Sequence, residues 1–364
     1  MNDLEVYKKA AQVLKKGENI ALITVISTTG STPGKVAYKM LVWGKSGKTI
    51  GTVGGGLTEA NMINAARNIL PKTKSQVFRF DLDEIQDDEK GICGGSIELL
   101  IETFDKKNLP LFEELSIVTE NGDKGVLISI ISPKKSPEKI FVKSAEQIDI
   151  ASDVSFSPKV IESIKKLAAE EQSAKQTLED GTEIFVETIP EQPMVFIFGA
   201  GHLSYYISRY ARSLNFRLTV CDDRAEFANK NRFPDAANII VESFERVFDK
   251  IDINKNSYVV IVTKGHKCDE IVLEKAVKTD ARYIGMIGSK RKASTILKRL
   301  HERGIPEEAL RKIYSPIGVS IGALTPQEIA LSIVCELVKI RRLGDAPETK
   351  HMAISFSESP REEL

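Results

Sequence analysis

A glycine-rich turn is the clearest chemical signal in the sequence. Gly199, Ala200, Gly201 and His202 follow an apolar run with the length of a buried strand, and they precede a segment with helical spacing. Glycines in this context allow a tight turn and let N–H groups at a helix start approach a pyrophosphate. We therefore predict that Gly199, Gly201 and His202 bind an anionic nucleotide. The alternative is a tight turn that binds nothing.

Two carboxylates follow the next strand-like run. Asp222 and Asp223 lie at the distance from the glycines at which an acidic side chain of a dinucleotide-binding fold meets a ribose hydroxyl. A carboxylate at this place favours NAD or another unphosphorylated ribose over a ribose with a 2′-phosphate. The sequence therefore predicts Asp222 and Asp223 as nucleotide-binding residues.

Polar residues also follow two later strand-like runs of the same half. Thr263–His266 comes after one run, and Gly288–Lys292 comes after the other and opens a basic helix. Ligands of open α/β sheets bind at such strand ends, and a helix start favours anions. For the second cluster, a solvated helix start is an equally good interpretation. The candidate binding residues here are His266, Ser289, Lys290 and Arg291.

A second set of glycines lies in the N-terminal half. Gly51–Glu59 again has the order strand, glycine loop, helix, and Gly91–Ser96 is a glycine loop that contains Cys93. Exposed N–H groups of two such loops can hold an oxyanion, and their dipoles lower the pKa of a neighbouring thiol. The pattern alone favours the alternative that Cys93 is an inert thiol. The candidates are Gly54, Gly55, Gly56, Glu59, Gly94 and Gly95 for binding and Cys93 for chemistry.

The cysteines indicate neither a disulfide framework nor a zinc site. Cys221 and Cys335 fall in apolar patterns and are predicted to lie in the core. His266 lies near Cys268 and Asp269, which is one way to hold a metal. Polar clusters at helix ends are commoner than metal sites, so no metal is predicted.

The spacing of apolar residues predicts an α/β protein with two kinds of domain. Residues 1–105 form an N-terminal α+β domain, and residues 106–193 form a middle α+β segment that is expected to pack on this domain, where it either completes the sheet or forms a bridging layer. In residues 194–344, short apolar strands alternate with helices, which predicts a C-terminal Rossmann-type domain with a doubly wound parallel sheet. Residues 345–364 form a polar tail.

The last helix is predicted to begin with a capping box at Thr325–Glu328 and to continue to Arg342. Its apolar stripe is buried either within its own domain or in a dimer. A homodimer is the expected assembly, because two-fold dimers are the commonest oligomers.

The overall composition excludes several classes of function. Lys plus Arg and Asp plus Glu are equal at 51 each, so no global field attracts nucleic acid. No basic segment followed by an apolar run opens the chain, and the apolar runs have the length of strands. We therefore expect a cytoplasmic protein with no membrane and no nucleic-acid partner.

These motifs together resemble those of the xanthine dehydrogenase accessory proteins, the XdhC/CoxI family. The resemblance covers most of the chain, apart from the middle segment and the tail. Its segments, in order, are Gly30–Pro33, Lys39–Val42, Gly51–Gly56 with Glu59, Ile92–Ser96, Phe198–His202, Asp222–Arg224, Phe227–Asn229, Arg232–Pro234, Gly285–Lys292, Ser315–Gly318 and Ile321–Ala330.

The resemblance implies an accessory protein rather than a stand-alone enzyme. Such proteins bind molybdenum cofactor (molybdopterin), protect it while an oxo ligand is exchanged for sulfido, and pass it to a molybdenum hydroxylase. The implied partners are the apo-hydroxylase and a cysteine desulfurase. We expect Lys39 and the glycine loops to contact the pterin or its phosphate, with Cys93 near the molybdenum.

Two positions depart from the pattern of the family. Leu57 stands where many members have Cys, so Cys93 is the one thiol in a loop motif. Gly34 stands where members often have Arg, which removes one phosphate contact unless Lys35 replaces it.

Two other functions are compatible with the sequence. The Rossmann-type domain would suit an NAD(P)-dependent oxidoreductase, although no convincing acid–base set accompanies the glycine turn. Alternatively, the protein is a docking scaffold for the client enzyme and binds no small molecule. Binding of NAD(H) or NADP(H) separates these possibilities.

Overall fold

The computed structural model of the chain divides into two compact units, Met1–Gln192 (unit 1) and Pro193–Leu364 (unit 2). It describes residues 3–72, 74–81, 95–131, 137–148 and 156–344. Cys93, Gly94 and the polar tail therefore lie outside the described residues. None of the helices in these ranges is long and apolar enough to cross a membrane.

Unit 1 combines two antiparallel sheets with helices. Its strands are β1 (Ile20–Gly30), β2 (Lys39–Trp43), β3 (Lys48–Gly51), β4 (Ser75–Asp81), β5 (Gly95–Phe104), β6 (Gly125–Ile131), β7 (Glu138–Val142), β8 (Ala174–Thr177) and β9 (Glu183–Ile189). Its helices are α1 (Asp3–Lys15), α2 (Gly56–Ile69), α3 (Leu109–Asn121) and α4 (Pro158–Ala169). The strand orders are β3-β2-β1-β5-β4 and β7-β6-β9-β8.

Strand β1 is apolar along most of its length because both of its faces are covered. Ile20 and Leu22 share a core cluster with α1 and α3, whereas Ala21 and Ile23 share one with α2. Leu127 of β6 belongs to the first of these clusters, so the middle segment and the N-terminal segment share a core within unit 1. Helix α4 covers the second sheet.

Unit 2 has a parallel sheet with helices between its strands. The strands are β10 (Met194–Phe198), β11 (Arg217–Asp222), β12 (Asn238–Val241), β13 (Ser257–Ile261), β14 (Tyr283–Met286) and β15 (Ile313–Tyr314). The helices are α5 (His202–Ser213), α6 (His266–Ala276), α7 (Lys290–Glu302), α8 (Glu307–Leu310) and α9 (Pro326–Leu343). The strand order β12-β11-β10-β13-β14-β15 is that of a doubly wound dinucleotide fold, so the predicted fold class is confirmed.

Helix α9 settles one of the alternatives that the sequence left open. Its capping box is present, because the Thr325 hydroxyl accepts from the N–H of Glu328 and the Glu328 carboxylate accepts from the N–H of Thr325. Its apolar stripe, which includes Ile333 and Leu337, packs into the core of unit 2. Cys335 points away from that stripe and is exposed, so the prediction that it lies in the core is wrong. Successive helical residues are rotated by about 100°, which explains the difference.

Candidate functional site

The glycine turn of unit 2 lies at the carboxyl end of β10, beside the end of β13. Gly199 has a φ of 104°, and a Cβ at this position would come within 2.4 Å of the carbonyl oxygen of Val262. A Cβ at Gly201, in contrast, would meet no atom within 4 Å. The first glycine is therefore required by the close approach of two strand ends, whereas the second faces open space at the start of α5.

Asp222 braces this turn from the end of β11. Its Oδ2 accepts from the N–H of Ala200 at 2.7 Å and from Nη2 of Arg224 at 3.0 Å. Its Oδ1 accepts from the backbone N–H and Nε of Arg224 at 3.1 and 2.8 Å. Asp222 is only 1% exposed and both of its oxygens are occupied, so it offers no acceptor to a ribose hydroxyl. The structure thus gives Asp222 a bracing role in place of the ribose contact that the sequence suggested.

The charge state of Asp222 follows from these contacts. Burial alone would raise the pKa of its carboxyl group, but the Arg224 guanidinium and the Ala200 N–H stabilise the carboxylate, so its pKa lies below the ordinary value. Its side chain is therefore ionised at neutral pH. The cation of Arg224 neutralises that charge directly beside the glycine turn.

Asp223 and His202 are more accessible than Asp222. The carboxylate of Asp223 lies 3.6 Å from Nε of Arg224 and 3.7 Å from Nζ of Lys264, which follows β13. Because β11 and β13 flank β10, the Asp223–Lys264 pair spans the end of the strand that carries the turn. His202 is exposed as the first residue of α5.

The loop after β13 is held by a buried carboxylate. Oδ1 of Asp269 accepts from the N–H and hydroxyl of Thr263 at 3.2 and 2.6 Å, and its Oδ2 accepts from Nζ of Lys292 at 2.5 Å. His266 is exposed at the start of α6. Burial and the nearby charge of Asp223 raise the pKa of the Cys268 thiol, so it is protonated at neutral pH. Asp269 and Cys268 therefore have structural surroundings rather than those of an activated nucleophile.

The start of α7 contains the other basic candidates. The Ser289 hydroxyl accepts from the N–H of Lys292 at 3.2 Å and caps the helix. Lys290 and Arg291 are exposed in its first turn. This turn follows β14, which is separated from the glycine-bearing strand by β13. The structure therefore places these residues one strand further from the glycine turn than Lys264.

In unit 1, the glycine loop already holds an anion of its own chain. The Glu59 carboxylate accepts from the Thr52 hydroxyl and from the N–H groups of Val53 and Gly55, the last two at 3.2 and 3.1 Å. The N–H of Gly54 donates to the Thr52 hydroxyl. The predicted cradle of Gly54, Gly55 and Glu59 is thus largely occupied by Glu59 itself. Gly56 and Leu57, which open α2, are exposed.

The loops that contain Gly34 and Gly54 pack against each other, and Gly95 packs against the end of β1. A Cβ at Gly54 would lie 2.7 Å from the backbone nitrogen of Gly34, and a Cβ at Gly34 would lie 2.3 Å from the carbonyl oxygen of Val53. A Cβ at Gly95 would lie 2.2 Å from the carbonyl oxygen of Thr29. These glycines are therefore required by backbone packing.

A cavity of about 310 Å³ lies beside this glycine loop. Lys39, Glu187, Asp3 and Thr52 are among its lining residues. Nζ of Lys39 donates to Oε1 of Glu187 at 2.6 Å and to Oδ2 of Asp3 at 3.0 Å. Both Lys39 and Glu187 are almost completely buried. The structure therefore places Lys39 at a cavity, as part of an ion pair that the sequence did not predict.

The environment keeps the Lys39 ammonium charged. Burial acts to lower the pKa of Lys39, but the carboxylates of Glu187 and Asp3 stabilise the ammonium, and its pKa lies well above the ordinary value. Burial and the Glu187 charge raise the pKa of Tyr7, whose hydroxyl donates to Oε1 of Glu187 at 3.2 Å. Among the residues that the structure describes, none donates a hydrogen bond to Oε2 of Glu187. One carboxylate oxygen is thus available at a residue that lines the cavity.

The comparison with known proteins follows the division into units. The order of the parallel sheet and the glycine turn define unit 2 as a Rossmann-type domain. Residues 195–337 match the family model described as XdhC Rossmann domain, and residues 7–81 match that described as XdhC and CoxI family. The chain belongs to the XdhC and CoxI family, which is of the xanthine dehydrogenase accessory type. The predicted family is therefore confirmed.

The known proteins similar to this chain include two curated proteins and a crystal structure. A Bacillus subtilis protein, described as a probable subunit of xanthine dehydrogenase, is 22% identical over 338 residues, which are 91% of this chain and 96% of the relative. The uncharacterized protein YqeB of Escherichia coli is 31% identical over 159 residues, and the match spans 43% of this chain but 29% of YqeB. The crystal structure of a xanthine dehydrogenase from Bacillus halodurans has a TM-score of 0.74 and 26% identity, with 95% of this chain and 98% of the other covered.

Sequence reasoning missed two residues at these sites, Arg224 and Glu187. Arg224 directly follows the acidic pair, and a cation at that place is a signal against a free carboxylate. Glu187 is a single acid within the otherwise apolar middle of β9, and a buried acid of this kind requires a partner. The partner, Lys39, is 148 residues away in sequence, so spacing could not reveal the pair.

Proposed function

We propose that this protein acts in the maturation of a molybdenum hydroxylase of the xanthine dehydrogenase type. In this proposal it binds molybdenum cofactor as cargo, supports the exchange of an oxo for a sulfido ligand, and passes the cofactor to the apo-hydroxylase. A cysteine desulfurase supplies the sulfur, and the protein acts as a homodimer in the cytoplasm. Membership of the XdhC and CoxI family supports this role.

The cavity beside Lys39 and Glu187 is the observation that carries the cofactor-binding part of the proposal. A pterin presents a ring N–H next to an exocyclic amino group, and one carboxylate can accept from both. Glu187 offers one oxygen to a donor of this kind, and Asp3 adds a second acid to the same lining. The volume of about 310 Å³ is at the lower end of small-molecule sites and suits one fused ring system.

The phosphate of the cofactor requires a different part of unit 1, because the cavity lining is rich in acids. Thr52 belongs both to that lining and to the glycine loop that leads into α2. The first N–H groups of a helix attract anions, and Gly56 and Leu57 at the start of α2 are exposed. Lys35, which is also exposed, supplies a cation next to the cavity-lining residue Val36. We therefore place the phosphate at the start of α2.

Copurification tests this proposal. The full-length protein, produced in a host that makes molybdenum cofactor, is expected to retain pterin, measured by fluorescence after oxidation, together with molybdenum, measured by elemental analysis. Glu187→Gln should lower the pterin content several-fold, because the neutral amide carries one acceptor and no charge. Glu120→Gln makes the same chemical change at an exposed residue of unit 1 and should have no effect. Pterin retention at the wild-type level in a folded Glu187→Gln variant would exclude the cavity as the site.

Loss of the Lys39 partner could also unfold the Glu187 variant, so a second variant is required. Glu171→Gln alters an exposed residue of the same cavity lining and is expected to lower pterin retention less strongly, with an unchanged unfolding midpoint. For Cys93, the matching test is Cys93→Ser. Unchanged cofactor retention together with unchanged activation of the hydroxylase would remove its proposed role near the molybdenum.

A further inference from the structure

The segment after β11 presents two arginines beside the glycine turn of unit 2. Arg224 uses Nε and Nη2 for Asp222, and Nη1 donates to no acceptor within the described ranges. Its guanidinium carbon lies 4.0 Å from the ring centroid of Phe227, and that of Arg232 lies 5.1 Å from the same centroid. Both guanidinium groups therefore lie against the same aromatic ring.

These arginines lie next to the turn itself. Nη2 of Arg232 is 3.4 Å from the carbonyl oxygen of Gly201, and Asp222 connects Arg224 to the N–H of Ala200. Arg224 is 25% exposed at its side chain, so a ligand can reach it although its position is fixed. A fixed guanidinium with an uncommitted N–H is well suited to bind a phosphate oxygen.

The place of these arginines in the fold indicates which part of a ligand they would meet. In doubly wound folds, the adenosine ribose of a dinucleotide lies at the end of the second strand, which is β11 here. A free carboxylate at this end accepts the ribose hydroxyls of NAD, whereas an arginine accommodates a 2′-phosphate. The Asp222 carboxylate is fully engaged, and the exposed carboxylate of Asp223 lies near Arg224 and Lys264. Arg224, with Arg232 against the same Phe227 ring, therefore adds cations at an edge where the acidic pair alone predicted free carboxylates.

We propose that unit 2 binds a nucleotide whose adenosine ribose carries a 2′-phosphate, that is, a ligand of the NADP(H) class, and that Arg224 and Arg232 bind this phosphate. The diphosphate lies over Gly201, where open space and the start of α5 are available. Lys264, which is half exposed and pairs with Asp223 across the end of β10, exchanges that partner for the diphosphate. All residues of this site belong to unit 2.

Titration of the full-length protein with dinucleotides tests the proposal. NADPH, followed by its fluorescence, should bind at least ~10-fold more tightly than NADH, because each charge-assisted contact to the 2′-phosphate is absent for NADH. Adenosine 2′,5′-bisphosphate should compete with NADPH, and adenosine 5′-monophosphate should compete much less. Equal or tighter binding of NADH, or no binding of either dinucleotide, overturns the proposal.

Variants identify the residues responsible. Arg232→Gln should reduce the affinity for NADPH by ~10-fold and leave that for NADH unchanged, because only the phosphate contact is lost. Arg224→Gln should likewise weaken the binding of NADPH and leave that of NADH unchanged. Because Arg224 also pairs with Asp222, its variant could lose stability, and Arg232→Gln then still tests the phosphate contact. Arg311→Gln is the matched control, since Arg311 is an exposed arginine that follows α8 and pairs with Glu307. An equal loss of both dinucleotides in a folded Arg232→Gln protein would contradict the assignment.

Discussion

The two glycine loops that lead into α2 and α5 have similar sequences but different surroundings. In unit 1 the loop follows β3, the edge strand of an antiparallel sheet, and in unit 2 it follows β10, in the middle of a parallel sheet. Each loop donates backbone N–H groups to a carboxylate of its own chain, which is Glu59 in unit 1 and Asp222 in unit 2. A strand–glycine–helix pattern therefore does not by itself indicate an open anion site.

The carboxylates differ in what neutralises them. Asp222 is buried and forms an ion pair with Arg224, so the acid and its cation act as one unit beside the turn. Glu59 is half-buried and accepts from the Thr52 hydroxyl and from N–H groups alone in the part of the chain described. Removal of the acid should therefore have a larger effect in unit 2 than in unit 1. Stability measurements on each unit test this difference.

Asp222→Ala should give the largest loss of stability. It leaves the buried N–H of Ala200 and the partly exposed guanidinium of Arg224 without their acceptor, and each of these two losses costs about 1–3 kcal/mol. The single tryptophan, Trp43, lies in β2 and reports on unit 1. We expect urea unfolding followed by circular dichroism to shift for unit 2, whereas the Trp43 fluorescence transition stays in place. A shift confined to Trp43 would contradict this comparison.

Low pH should narrow the difference in unfolding midpoint between the wild type and the Asp222→Asn variant. The folded-state pKa of Asp222 is depressed, so its contribution to stability is present above the unfolded-state pKa of about 3.9 and is lost as the pH falls below that value. Unfolding midpoints measured from about pH 6 to about pH 3 should therefore converge at the acidic end. A constant difference over this range would show that the charge of Asp222 has no role.

The two glycines of the unit 2 turn allow a matched comparison, in which Gly199→Ala should cause a loss of stability of intermediate size and Gly201→Ala should cause almost none. Gly199→Ala places a Cβ 2.4 Å from the Val262 carbonyl oxygen at a φ of 104°, and strain with overlap of this kind costs on the order of 2–4 kcal/mol. Gly201→Ala meets no atom within 4 Å and should change the unfolding free energy by less than about 0.5 kcal/mol. The second variant should nevertheless weaken nucleotide binding, because its Cβ enters the open space. Similar stability losses for both would contradict this division.

Glu59→Ala should give the smallest of the three stability losses. The N–H groups of Val53 and Gly55 lose their acceptor, but they lie in a half-buried loop that water can reach, so the cost is about 1–2 kcal/mol. Here the Trp43 fluorescence transition should shift. Glu120→Ala, at an exposed residue of the same unit, is the control. If the Glu59 variant lost as much unfolding free energy as the Asp222 variant, the two carboxylates would contribute equally to stability, which would contradict the inferred difference between the loops.

Much of the architecture was predictable because the spacing of apolar residues along the chain shows which faces of the strands and helices are buried. The alternation of short apolar strands with helices predicted for residues 194–344 is present in the structure, since buried parallel strands are continuous apolar runs. Helix α3 and strand β15 are elements that local pattern does not reveal. The apolar residues of α3 form no clear amphipathic stripe, and β15 contains two residues, Ile313 and Tyr314, which is too short for a period to be seen. Local pattern is therefore informative in proportion to the length and regularity of an element.

The sequence by itself determined the family, the Rossmann-type unit and the place of the glycine turn, because each rests on residues close together in the chain. Only the tertiary structure decided how the acids are used. Asp222 is withdrawn from ligand contact by Arg224 and Ala200, and Lys39 is paired with Glu187 from a distant strand. The sequence shows which side chains carry charge. Which of these charges neutralise each other, and which are left for a ligand, depends on distances that only the folded chain establishes.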